Sequence, residues 1–145
     1  MSRFQTSPPR RRGTAFIVRC ATQPGQPTNP PPLLPALNMA GSELNALAAL
    51  NAPLGNARFA IVFHGPAVDG ILDDEHYKAR FGISNPNLKP IAEMKKRGVE
   101  FFVCGQYLAS EKIDPKTLTP DVKLAADALL VLMEYQNKGY ALMSF

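Results

Sequence analysis

The stretch ARFAIVFHG, Ala57–Gly65, constrains this chain more than any other. From Phe59 to Phe63 every residue is apolar, so the segment has no side suited to water. A strand with one wet face alternates polar and apolar residues, and this one does not. Such a run fits a central strand of a parallel sheet, covered by helices on both faces. The run stops at His64-Gly65-Pro66, where the chain must turn. TAFIVRC (14–20) and VEFFVC (99–104) have the same short, β-branched and aromatic character and read as further strands.

Helical patterns separate these strands. LLPALNMAGSELNALAALN (33–51) places Leu37, Ala40, Leu44, Leu47 and Ala48 at helical spacing, with Pro35 in the first turn. Gly41 weakens its middle by roughly 1 kcal/mol relative to alanine. PAVDGI opens a short helical piece after the central strand, and residues 73–80 then read as an acidic, polar connection. NPNLKPIAEMKKRG (85–98) is a helix with Asn85 as cap, Pro86 at its first position and Gly98 as stop. GQYLASEKI reads as a short helix, and a very short strand or turn follows near Val122. AADALLVLMEYQNKG is a strong helix with Leu129, Leu132 and Met133 inward, and YALMSF closes the chain as a strand. Strands alternating with helices imply parallel pairing, hence a three-layer α/β/α sandwich with a mostly parallel five-stranded sheet.

At 145 residues the chain suits one domain with a proper core. We assign residues 14–145 to that domain and 1–13 to a disordered basic arm. ATQPGQPTNPPP (21–32) has five prolines in twelve residues, so it reads as an exposed loop. The formal charge of +4 is uneven. Five arginines and no acid precede Glu43, while the other 11 basic residues are outnumbered by the 12 acids. The basicity belongs to the arm rather than to a folded surface. No basic helix or set of stacking aromatics accompanies it, so nucleic acid is not the expected partner. No apolar run approaches the ~18 residues that span a bilayer, and the arginines at the N-terminus precede no apolar leader. The expected location is the cytoplasm, where thiols stay reduced.

Three residues that carry chemistry close strands: Cys20, His64 and Cys104. Parallel sheets bind ligands at that edge. Two readings of Cys104 stand. It is a buried thiol ending a core strand, or a thiol facing the N-terminus of the helix after it, where unpaired N–H groups favour thiolate. Gly105 would then let a substrate approach the backbone. His64 either tunes that thiolate or holds the Gly65-Pro66 turn through a carbonyl. Cys20 is either a small core residue or a resolving thiol. Asp73-Asp74-Glu75 lacks metal-ligand spacing, and Walker A, GxGxxG and GxSxG are absent, so no metal or cofactor is expected.

HGPAV (64–68), RFG followed by NPNL (80–88), VCGQYLA (103–109) and QNKGYALMSF (136–145) together resemble the DsrE/DsrF-like family. The similarity is strongest to its small single-domain members and runs from about Ala57 to the C-terminus. The resemblance implies a DsrEFH-like fold and symmetric homo-oligomers, trimers or hexamers. It further implies sulfur relay, with sulfane sulfur carried as a persulfide on a strand-end cysteine, here Cys104, and with sulfur donor and acceptor proteins as partners. Expected site residues are Cys104 and His64, with Gly65, Gly105, Gln106, Asn85, Arg80 and Tyr77 as substrate contacts. The alternative is a non-catalytic oligomeric module that binds a small anion or a partner, with Arg80 attracting the anion.

Overall fold

A computed structural model describes residues 14–25, 32–50 and 57–145. The arm at 1–13 and the middle of the proline-rich loop, 26–31, lie outside the described residues. Five strands form one parallel sheet: β1 (Thr14–Cys20), β2 (Ala57–Phe63), β3 (Glu100–Cys104), β4 (Lys123–Ala125) and β5 (Ala141–Ser144). Their order across the sheet is β4-β3-β2-β1-β5, which puts the apolar run of β2 at the centre. Helix α1 (Pro35–Ala49) joins β1 to β2. Helices α2 (Asp74–Phe81) and α3 (Leu88–Lys96) lie between β2 and β3. Helix α4 (Gly105–Ser110) comes directly after β3, and α5 (Ala128–Asn137) carries the chain from β4 to β5 at the opposite edge of the sheet.

Strand alternation divides the core in two. Val18, Cys20, Phe59, Ile61, Phe63, Phe101 and Val103 pack under α1 and α3. Ile17, Ala60, Val62 and Cys104 face α5. Both faces of β2 are therefore dry, as its composition requires. Gly41 of α1 lies close to α3: a Cβ there would sit 3.4 Å from Met94 Cε. No helix among the described residues is long and apolar enough to cross a membrane.

The sequence readings of α2 and α5 need correction. The acidic stretch read as a connection is α2, capped by the Asp73 carboxylate, which accepts from the His76 N–H at 2.8 Å. The inward stripe of α5 is Ala128, Val131, Leu132 and Tyr135, whereas Leu129 and Met133 are 64% and 58% exposed. This helix is apolar almost all round, so periodicity alone allows more than one stripe. Tyr135 decides it: its ring packs against Phe102 and its hydroxyl donates to Glu100 Oε2 at 2.8 Å.

The two faces of the sheet receive different connections. α4 buries Leu108 in the α1–α3 layer, while the chain leaving β4 enters α5 on the other face. The connections after β3 and β4 thus diverge. In open parallel sheets ligands bind at such a divergence, at the carboxyl ends of the strands. Cys104 is the last residue of β3.

Candidate functional site at the carboxyl end of β3

Cys104 does not meet the helix anticipated from sequence. Its sulfur lies at the start of α5: the Ala128 N–H donates to Cys104 Sγ at 3.3 Å. Asp127 Oδ1 is 3.7 Å from the same sulfur, within reach of the thiol proton. Asp127 occupies the N-cap position of α5, yet its side chain makes no capping bond. Aspartate at that position ordinarily accepts from an N–H one turn in. Here the sulfur takes the first N–H, and the carboxylate points at the sulfur instead.

Gly105 explains how α5 comes so close. A Cβ at Gly105 would lie 2.5 Å from the Ala125 carbonyl oxygen and 3.4 Å from that of Ala126. The close approach that this glycine permits is made by the chain's own β4–α5 connection. It seats that connection over β3 and delivers Asp127 and Ala128 to the thiol. The thiol is covered as a result, and Cys104 is only 5% exposed.

His64 continues the alternation of β2, two residues beyond Val62, so it projects to the α5 side. Its backbone N–H donates to the Cys20 carbonyl at 3.1 Å. Burial holds the imidazole below its ordinary range, the nearby Arg19 guanidinium lowers it further, and Asp127 opposes both. At neutral pH His64 is therefore mainly the uncharged imidazole. Arg19 reaches this edge from β1, and its Nη1 donates to Ser144 Oγ at 3.1 Å. The sheet edge thus gathers Cys104, His64, Asp127 and Arg19. The last two were missed from sequence. Asp127 carries a legible signal, an acid directly before an apolar helical run, but that signal spells a helix cap.

The other expected site residues are placed elsewhere or used otherwise. Cys20 points to the opposite face from Cys104, is fully buried, and is pushed up to about 11 by burial against hydrogen bonds from Ala36 and Thr22. It is not positioned to resolve a disulfide with Cys104. Gly65 adopts φ +59° at the turn after His64, a left-handed conformation that favours glycine. Gln106 is exposed on α4. Tyr77 is not a loop residue over the edge. It is buried on α2, 4.5 Å from the Phe81 ring. Arg80 Nη1 donates to Asp69 Oδ1 at 2.7 Å, so its charge is already partnered. Burial raises the Asp69 carboxyl, and Arg80 partly offsets this.

Asn85 is engaged within the fold. Its Nδ2 donates to the carbonyls of Gly70 and Leu72 at 3.0 and 2.7 Å, and its Oδ1 accepts from Asn87 N and Nδ2 at 2.9 and 3.1 Å. It ties the segment after β2 to the entry of α3, and the cap position of α3 falls to Asn87. With all four amide positions used, Asn85→Ala is expected to cost about 3 kcal/mol by stranding buried carbonyl and N–H groups. Urea unfolding checks this. An unchanged midpoint would mean the network is dispensable.

Two grooves flank the edge strand β4. One, of about 310 Å³, runs between β4 and α5 and is lined by Phe102, Leu124, Asp127, Leu130 and Glu134 among others. The other, of about 400 Å³, lies toward Pro115, Leu118 and Val122. Cys104 lines neither. Among the described residues, no group of three or more His, Cys, Asp or Glu is placed to hold a metal ion.

The sequence model of the DsrE/DsrF-like family matches residues 33–145. The chain belongs to the DsrE/DsrF-like family. Among solved structures, this DsrE/DsrF-like chain is similar to the protein of unknown function MTH1491 from Methanobacterium thermoautotrophicum. The TM-score is 0.57 at 17% identity, covering 90% of this chain and 99% of that one. At that identity the likeness supports the α/β/α fold alone. Comparison with curated protein sequences gives no match.

Proposed function

We propose that this DsrE/DsrF-like protein is a sulfur-relay carrier that holds sulfane sulfur as a persulfide on Cys104, with His64 tuning the site. The observation that carries this reading is the Ala128 N–H aimed at Cys104 Sγ from the start of α5. A backbone donor and a helix N-terminus both stabilise negative charge on sulfur, and the anionic sulfur is the form that attacks and leaves. The reaction is an exchange. Cys104–SH and a donor R–S–SH give Cys104–S–SH and R–SH; one S–S bond breaks, one forms, and no external oxidant is needed.

Burial of the thiol sets a condition on this reading. A donor reaches Sγ when the Ala125–Asp127 connection shifts, and β4, a three-residue edge strand, is the weakest part of the sheet. The anion-binding alternative is less favoured because Asp69 already neutralises Arg80. Sulfur donor and acceptor proteins are the partners this chemistry requires. We also propose a homo-oligomer, with Leu129, Leu130 and Met133 of α5 in the subunit contact, since they leave an apolar outer face.

Incubation with glutathione persulfide and then mass spectrometry of the intact chain tests the reading. The expected result is a gain of one sulfur atom that maps to Cys104 and disappears in Cys104→Ser. An unmodified wild type, or a Cys104→Ser variant that gains sulfur equally, would overturn it.

A further inference from the structure

We infer that Asp127 is the catalytic residue that takes the Cys104 proton and returns it to the leaving thiol. This rests on the sulfur-carrier reading and deepens it. Two observations on one side chain support it. Asp127 Oδ1 is 3.7 Å from Cys104 Sγ. The same carboxylate sits at a helix N-cap and forgoes the capping bond that local chemistry favours. The N–H of the first helical residue, Ala128, goes to the sulfur at 3.3 Å. The two groups therefore divide the work: the N–H holds the charge that forms on sulfur, and the carboxylate holds the proton that left it.

The step balances. Asp127 carboxylate accepts the Cys104 proton. The thiolate attacks the outer sulfur of R–S–SH, forming Cys104–S–SH and breaking the donor S–S bond. The departing R–S⁻ takes the proton from Asp127, which returns to carboxylate. Passing sulfur to an acceptor thiol runs the same sequence in reverse. The charged and titratable groups around this edge come from each packed element: Arg19 from β1, His64 from β2, Tyr107 from α4 and Asp127 from the entry to α5. Of these, Asp127 alone has a carboxylate within reach of the thiol proton.

The test compares wild type, Asp127→Asn and Asp127→Ser, each checked for folding by circular dichroism. The rate of sulfur gain on Cys104 from glutathione persulfide is read across pH. At pH ~7 the expectation is a loss of about a hundredfold in both variants, the usual scale for removing a proton-transfer group. The gap should narrow as the pH rises, because hydroxide takes thiol protons without a protein base. Asp127→Ser is the decisive control, because serine caps a helix but is a poor base. If Asp127 serves only the helix, serine restores the rate and any remaining loss is the same at every pH. That result, or an Asp127→Asn rate equal to wild type at pH ~7, overturns the role of Asp127 and leaves Cys104 as carrier intact. A wild type that takes no sulfur removes both.

Discussion

Gly105→Ala should both destabilise the fold and loosen the cover over Cys104. The added methyl would sit 2.5 Å from the Ala125 carbonyl oxygen, and the obstacle is backbone rather than the end of a flexible side chain. Either the β3–α4 turn or the β4–α5 connection must move. β4 has three residues and pairs on one side only, so the connection should be what gives way. Overpacking of this kind costs about 1–3 kcal/mol. The same movement would draw Asp127 and Ala128 off the sulfur, and alkylation of Cys104 by iodoacetamide should rise about tenfold as the covered state gives way to open ones. Gly82→Ala supplies the comparison. Gly82 ends α2 at φ +78° with open space around its Cα. Its replacement should cost roughly 1–2 kcal/mol through backbone strain alone and leave alkylation of Cys104 unchanged. If Gly105→Ala unfolds and alkylates like wild type, the close approach of β4 to Gly105 does not hold the site together.

Particular residues show what sequence could and could not reveal. The three inner strands were legible from composition, since Phe59 to Phe63 has nothing to offer water and β1 and β3 are nearly as dry, whereas β4, Lys123–Ala125, has no apolar run and read only as a very short strand or turn. From strand ends, the placing of Cys104 and His64 at one edge followed. Faces were harder. Cys20 and Cys104 both close strands, but Cys20 pairs in register with Phe63 while Cys104 lies one residue beyond the partner of Phe63, Val103. That single residue of offset puts the two thiols on opposite faces, and register depends on tertiary pairing. Asp127 was hidden for another reason. It lies 23 residues after Cys104, and its sequence context, an acid before Ala-Leu-Leu-Val, is fully accounted for by a structural cap. Only the diverted carboxylate sets it apart from one. In α2, polar composition suggested a connection because a helix with one buried residue, Tyr77, has almost no apolar stripe to read.

The largest assembly effect is expected on α5. Leu129, Leu130 and Met133 are 64%, 57% and 58% exposed, and they lie at helical spacings of one and four, forming a continuous outer face. Leu142 of β5, 46% exposed, projects to the same side of the sheet because it pairs with Ile17. Three large apolar residues together on a helix otherwise well docked are unusual for a surface that meets only water. Complete burial of one such side chain is worth about 1.5–3 kcal/mol. Replacing two of them, Leu129→Glu with Met133→Glu, should weaken self-association by at least about a hundredfold, since it removes that gain and adds two charges to be desolvated. Both positions point away from the core, so the folded domain should keep its helicity and unfolding midpoint once protein concentration is accounted for. Light scattering is the measurement: an oligomer for the wild type, a monomer for the double variant. A monomeric wild type would overturn the oligomer, and a double variant that remains assembled would place the contact elsewhere. The N-terminus of α5 and its outer face would then have different duties. On the proposed reading its first N–H and the preceding carboxylate would serve the thiol and its outer face a neighbouring subunit, so a subunit seated there would hold the wall against which Cys104 works.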